Sequence, residues 1–345
     1  MKYKILGTTG LKVSTICLGT MNYGGKGFFE YMGNLDQKAV DEQIKMVTET
    51  GVNFIDTANI YSEGISEKMI GQAIKNLGID RDDLVLATKV RGAIGKGQND
   101  LGLSKKHIIQ QVEASLKRLG TDYIDLYQIH TVDPLTPIEE TIRTLDDLVR
   151  SGKIRYFGAS NIAAWQLMKG LAYSQYNYLD RFSSLQANYS LDVRDVEREI
   201  VPLLLDQKVG MMVWSPLSGG LLTGKYRRDG QKEEGRLNSF PFPPFHEDRA
   251  FDVLDILTPM AKEKNASIAQ LALAWLLHQS VVSSVIIGAT KLHQLKDNLK
   301  AVEVVFTEAE LNQLHEVSKL PAEYPAIVLD LMTMDRSAGI DFQNA

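Results

Sequence analysis

The chain has 345 residues, of which 44% are hydrophobic, 23% charged and 8% aromatic, a balance that fits a globular protein and excludes disorder. The net charge of −5 at pH 7 is small and spread along the sequence, which argues against a nucleic-acid partner. A single cysteine, Cys17, excludes an internal disulfide, and no apolar run approaches the roughly 18 residues of a membrane span, so a cytoplasmic protein without a membrane partner is expected.

In chain order, residues 1–13 read as a hairpin turning at Thr8-Thr9-Gly10, expected to cover the amino-terminal mouth of the main fold. Cys17, between Ile16 and Leu18, reads as a buried structural thiol in the first of eight short apolar runs. These strands fall at 15–19, 53–56, 84–89, 123–129, 154–159, 183–187, 210–214 and 284–287. Their nearly continuous apolar character is that of parallel strands covered on both faces. Between them lie amphipathic helices at 36–50, 66–77, 104–119, 138–150, 163–171, 196–207 and 268–279, with another at 293–300 after the eighth strand. Gly51, Gly78, Gly120 and Gly152 each stand just past a helix, where a left-handed residue commonly ends one. Eight strand and helix units predict an α/β fold, a (β/α)8 TIM barrel occupying the chain as a single domain. A doubly wound open sheet would carry a Gly-x-Gly-x-x-Gly turn after its first strand, and none is present.

Two segments stand outside the repeat. Residues 216–249 are too long for an ordinary connection and hold Gly219, Gly220, Gly224, Lys225, Arg228, Arg236 and four prolines, the pattern of a functional loop. The tail from Pro321 carries Tyr324, Ile327, Val328, Leu329, Leu331 and Met332, and is expected to fold back over the active-site face or meet a partner.

Four residues carry the chemistry. Asp56 with Tyr61, Lys89, and His130 fall at or just past the carboxyl ends of three consecutive predicted strands, where barrel active sites lie. A buried Lys and Asp require each other as counter-charges. A tyrosine holds its proton at neutral pH and donates it more readily beside a cation, so Lys89 is expected to lower the phenol of Tyr61, with Asp56 holding the ammonium. His130, neutral beside that cation, is suited to bonding a substrate oxygen. Taken singly, each residue also has a structural reading: ion pair, packing tyrosine, satisfied histidine. Six histidines and one cysteine offer no paired ligand spacing, so no metal is expected.

Several motifs give the set a context. Leu6-Gly7-Thr8-Thr9-Gly10-Leu11-Lys12-Val13-Ser14, the stretch from Asn53 to Tyr61 followed by Gly64-Ile65-Ser66-Glu67-Lys68-Met69-Ile70-Gly71, the stretch from Leu119 to Asp133, and Gly152-Lys153-Ile154-Arg155-Tyr156-Phe157-Gly158-Ala159-Ser160-Asn161 resemble, in order and spacing, the signatures of the aldo-keto reductases. The likeness runs from residue 4 to about 320 and is to the bacterial members and the potassium-channel β subunits. It implies reduction of an aldehyde or ketone by NADPH in preference to NADH, with Tyr61 as acid, Lys89 and Asp56 as activators and His130 as orienting group. It further implies that Gly19, Thr20, Met21 and Asp56 border the cofactor and that Ser160, Asn161 and Gln186 clamp its amide. Trp214 would stack on the nicotinamide. Ser215, Pro216, Leu217, Gly219, Gly220, Lys225 and Arg236 would belt the pyrophosphate, and Gly288, Thr290, Gln294 and Asn298 would receive the 2′-phosphate at a helix amino terminus. The chain departs from the aldose-reductase branch at Gly288 and Gln294, where that branch carries Lys and Arg. For the carbonyl substrate, Tyr23, Phe28, Phe29, Ile60 and Arg91 are expected to line the pocket. The β-subunit likeness leaves a second class open, a nucleotide-bound redox-sensing module acting through a partner. Nothing in the sequence specifies an oligomer.

Overall fold

In the computed structural model, which describes residues 1–226, 228, 235–238, 240–242 and 245–337, the first two strands, β1 (Tyr3–Ile5) and β2 (Lys12–Ser14), form an antiparallel hairpin. The next eight, β3 (Ile16–Gly19), β4 (Phe54–Asp56), β5 (Val85–Val90), β6 (Ile124–Ile129), β7 (Ile154–Ser160), β8 (Phe182–Asn188), β9 (Gly210–Trp214) and β10 (Val282–Ile287), pair in parallel and close into a barrel between β10 and β3. The chain is therefore a (β/α)8 TIM barrel, as the alternation of strands and helices predicts. β5, β6 and β10 are buried along their whole length, which is why their sequences read as unbroken apolar runs.

Around the barrel run α1 (Gln37–Glu49), α2 (Ile65–Leu77), α3 (Lys105–Leu119), α4 (Ile138–Arg150), α5 (Ala164–Tyr176), α6 (Ile200–Gln207), α7 (Glu247–Glu263), α8 (Ile268–Leu277) and α9 (Leu292–Leu299). Local chemistry starts and stops them. Asp36 and Ser104 accept the first free backbone amides of α1 and α3, and Gly78 and Gly120, in the left-handed region, end α2 and α3. α1 turns Val40, Ile44 and Val47 inward, a one-face spacing. α6 begins at Ile200 rather than at Val196, after a separate turn at Asp195–Glu197, because Pro202 is tolerated only in a first helical turn.

Two differences from the sequence reading concern the ends of the long loop. α7 begins at Glu247, so the irregular segment is shorter than 216–249, and its first part, Ser218–Thr223, is already a 3-10 turn. After the barrel, α10 (Glu308–Ser318) is set by a capping box in which Thr307 and Glu310 serve each other's backbone. The tail forms α11 (Ala326–Ser337), whose Ile327, Val328, Leu329, Leu331 and Met332 stand exposed. Arg198 fixes its start, pairing with Glu323 at 3.0 Å and donating to the Pro321 carbonyl. Among the described residues, no helix is long and apolar enough to cross a membrane.

Alternation along each strand divides the barrel interior into layers. Below, Cys17, Phe54, Val85, Ala87, Leu126, Met212 and Ile286 fill the bore together with Leu6 and Val13 of the hairpin. The hairpin thus caps the amino-terminal mouth. Lys4 Nζ donates to the Val282 carbonyl at 2.6 Å, and Gly7, at φ +56°, lies so close to β8 that a Cβ there would come within 2.3 Å of the Ser183 carbonyl oxygen. Above this apolar plug the same inward positions become polar: Asp56 after Phe54, Lys89 after Ala87, Gln128 after Leu126.

Candidate active site

The polar layer is organised around one buried ion pair. Lys89 Nζ lies 2.5 Å from Asp56 Oδ2, with both side chains almost wholly removed from solvent. Asp56 Oδ1 accepts two further bonds at 2.9 Å, from Gln128 Nε2 and Gln186 Nε2, so three donors from three strands fix the carboxylate. Lys89 in turn donates to the Thr57 carbonyl at 2.9 Å and reaches Tyr61 Oη at 3.4 Å. Burial alone would push the ammonium toward neutrality. Asp56 and the Tyr61 phenol outweigh it and hold the Lys89 pKa above its ordinary value.

Tyr61 opens a turn of unusual backbone. Ser62, Glu63 and Gly64 are all left-handed, at φ of 49°, 56° and 84°, and the Ser62 hydroxyl locks the turn by donating to the Tyr23 carbonyl at 2.6 Å. Backbone of this kind persists only where its surroundings over-determine it, and it aims the phenol back at Lys89. Lys89 pulls this phenol down, as expected, but does not set the net direction. Burial is the largest influence and raises the Tyr61 pKa, Lys89 opposes it in part, and Asp56 adds to the rise.

His130 follows β6, its ring edge-on to Tyr61 with centroids 5.8 Å apart. Burial, Lys89 and Arg91 together lower its pKa to about 3, so the imidazole is neutral at physiological pH. Its Nδ1 is enclosed and has no hydrogen-bond partner among the described residues.

The residues expected at the cofactor divide into groups. Ser160 Oγ donates to the Gln186 carbonyl at 3.0 Å. Asn161, left-handed at φ 49°, donates to the His130 carbonyl and to Ser160 Oγ, and accepts from Trp214 Nε1 at 3.1 Å. Gln186 instead directs its amide nitrogen at Asp56 and, at 3.3 Å, at Gln128. Thr20 is fully buried, its hydroxyl and amide both on the Asp56 carbonyl, so it ties β3 to β4 beneath the surface; Met21 is half-buried in the turn beyond.

A backbone floor lies where β3 and β10 meet. A Cβ on Gly19 would come within 2.6 Å of Ile286 Cγ2, and one on Gly288 within 3.3 Å of the Gly19 carbonyl oxygen. Beyond β9, Ser215 is left-handed at φ 52° and accepts from the Gly219 amide, Pro216 is buried and Leu217 half-buried. Gly219 and Gly220 continue in the left-handed region, and a Cβ on Gly220 would crowd Lys225. The Arg236 side chain lies outside the described residues. Thr290 and Lys291 are exposed ahead of α9, whose first amides have no side-chain cap, while Gln294 is half-buried and Asn298 buried within that helix.

Of the residues expected to line the substrate pocket, Phe29 packs on Tyr61 with centroids 5.2 Å apart and Phe28 packs on Phe29. Ile60 rests against the Gly92 backbone, and Arg91, at φ 138°, encloses its Nε without a partner. Tyr23 is corrected: it is fully buried, its hydroxyl donating to Gln43 of α1, below the pocket instead of in its wall. Sequence reasoning missed Gln128, although it stands two residues before His130 and therefore on the same inward face of β6. It also missed Phe240 and Phe242, which flank Pro241 in the long loop.

Compared with known proteins, the chain matches the aldo/keto reductase family over residues 15–319. The chain belongs to this family. Its relatives include a probable voltage-gated potassium channel subunit beta of Arabidopsis thaliana, 37% identical over 94% of this chain and 99% of the relative. An uncharacterized oxidoreductase of Bacillus subtilis is 37% identical over 92% of this chain and 96% of its own. An NADH-specific methylglyoxal reductase of Escherichia coli is 36% identical over 92% of this chain and 99% of its own. Family membership and the oxidoreductase relatives support an oxidoreductase, in a family that uses nicotinamide cofactors and acts on small carbonyl compounds.

Proposed function

We propose that the protein reduces aldehydes or ketones to alcohols with NADPH, with Tyr61 as the general acid. The observation that carries this reading is the continuous line from Asp56 through Lys89 to the Tyr61 hydroxyl, beside a neutral His130 with an enclosed, unpartnered ring nitrogen. The neutral imidazole, edge-on to Tyr61, suits a carbonyl oxygen through the ring nitrogen that is not enclosed, and the phenol, still protonated at neutral pH, supplies the proton. Reduction turns that oxygen toward alkoxide, a far stronger base than phenolate, so the proton moves from Tyr61 even though burial raises its pKa. The Lys89 ammonium then faces the phenolate left behind, and Asp56 with its two glutamine donors keeps the ammonium in place.

The donor set fits a nicotinamide nucleotide. Ser160 and Asn161 offer polar groups at the strand ends, Trp214 a ring face, Gly19 and Gly288 a floor without side chains, and Gly219 and Gly220 a backbone open to close approach. When bound, that nucleotide supplies the hydride. The uncapped amino terminus of α9, with Thr290 and Lys291 exposed before it, supports a 2′-phosphate there and hence NADPH, against the NADH specificity of the relative from Escherichia coli.

The likeness to a channel β subunit supports a second reading, a nucleotide-bound sensor with slow turnover. A panel of aldehydes and ketones, monitored by NADPH oxidation, separates the two. Turnover of order 1 per second or faster is expected of the enzyme, whereas single-turnover oxidation without release would favour the sensor.

A further inference from the structure

Six aromatic rings make an arc around the mouth. Tyr61 meets Phe29, Phe29 meets Phe28 at 5.5 Å, and Phe28 meets Phe240 edge-on at 5.3 Å. Phe240 meets Phe242 at 5.8 Å, and Phe242 stacks on Trp214 at 6.1 Å with planes 11° apart. Two hydrogen bonds, from Trp214 to Asn161 and from Asn161 to the His130 carbonyl, complete the circuit, since the His130 ring lies against Tyr61. Its members come from the connections after β3, β4, β6, β7 and β9, so the circuit encircles the carboxyl end of the barrel above Asp56 and Lys89.

We propose that Phe240 is a specificity-determining residue, and that the rim it closes selects flat conjugated carbonyls such as aryl aldehydes over small aliphatic ones; this deepens the reductase reading above and rests on it. Phe240 belongs to the loop after β9 but is gripped by the connection after β3, edge-on by Phe28 and face-on by Tyr31 at 5.6 Å with planes 15° apart. Its backbone carbonyl accepts from the Phe242 amide at 2.9 Å, a tight turn at Pro241 that sends the two rings to different partners. A cluster serving only as packing would bury its members, yet Phe28 is 55%, Tyr31 59% and Phe242 37% exposed. Grouped exposed rings of this kind mark a binding surface. Ring faces and edges reward a flat π-system through offset and edge-on contacts. On this proposal a three-carbon carbonyl, which has no conjugated ring, gains nothing from such contacts.

The test is steady-state reduction of benzaldehyde and of methylglyoxal by the full-length protein at saturating NADPH, for wild type, Phe240→Ala and Phe240→Tyr. The Ala variant should lose about three- to tenfold in kcat/KM for benzaldehyde, chiefly through KM, and stay within about twofold for methylglyoxal. The Tyr variant should retain the wild-type selectivity. Equal losses on both carbonyls, or no loss on either, would overturn the role of Phe240 while leaving carbonyl reduction standing. A wild-type protein that oxidises NADPH with neither compound would instead overturn the reductase reading, and this proposal with it.

Discussion

Tyr61 can act as an acid only if its hydroxyl faces both a proton acceptor and a cation, and the left-handed run from Ser62 to Gly64 fixes that orientation. Replacing it with Phe keeps the ring against Phe29 and His130 and removes only the proton. Turnover should fall about 10²- to 10⁴-fold, while nucleotide affinity, measured by fluorescence titration, stays near wild type. A variant still within about tenfold of wild-type turnover would remove Tyr61 from the acid role. His130 gives a second prediction at this scale. With its folded pKa near 3 and an ordinary value of 6.5, it stays neutral throughout the working range. The pH profile of kcat should therefore show no limb near pH 6.5. Because the folded value is depressed, the unfolded chain takes up the proton first, so the contribution of His130 to stability is complete above pH 6.5 and is lost progressively as pH falls toward 3. Denaturant titrations should show a shallower acid loss in His130→Gln than in wild type, and parallel curves would contradict the depressed pKa. Of these residues, Asp56, Tyr61, Lys89 and His130 were legible in the sequence because a charge or polar ring ending an apolar run needs a reason. Gln128 was not, since an uncharged amide at a strand end announces no such need until the carboxylate it serves is seen across the barrel.

At the scale of elements, the strands were legible because burial on both faces writes an apolar run whatever the neighbours, and most helices because their caps are local. α7 was hidden. It comes after a loop rich in proline and carries Pro259 inside it, which reads as a breaker even though Val253, Leu254 and Leu257 keep a helical spacing. α10 carried its signal openly in Thr307 and Glu310. The hairpin shows how an element far from the chemistry sustains it. Gly7 must remain glycine because its φ is positive and β8 leaves no room for a Cβ. Gly7→Ala should lower stability by about 1 to 3 kcal/mol, read as a reduced denaturation midpoint, while the kcat of the folded fraction is unchanged because the apolar plug separates hairpin from site. A change in kcat at constant stability would mean that the plug transmits strain to the ion pair.

For the molecule as a whole, the open question is which nucleotide the barrel was shaped to hold, because the family includes a relative specific for NADH and this chain lacks the Lys and Arg pattern of the aldose-reductase branch. The groups proposed to hold the nucleotide are spread across distant parts of the sequence. The glycine floor comes from β3 and β10, the left-handed glycines from the loop after β9, and Thr290 with Lys291 from the amino terminus of α9. No single stretch of sequence displays that arrangement, so cofactor preference was the least legible property of the site. If Thr290, Lys291 and the α9 amides together receive the phosphate, two charge-assisted hydrogen bonds at roughly 1.5 to 3 kcal/mol each favour NADPH by about 10²-fold or more. Calorimetric titration of wild type with both nucleotides should show that gap. Thr290→Ala and Lys291→Ala should narrow it by weakening NADPH far more than NADH, since the adenosine of NADH carries a neutral 2′-hydroxyl where NADPH carries the charged phosphate. Equal wild-type affinities would remove the phosphate site from α9 and make this an NADH-linked enzyme working through the same buried ion pair.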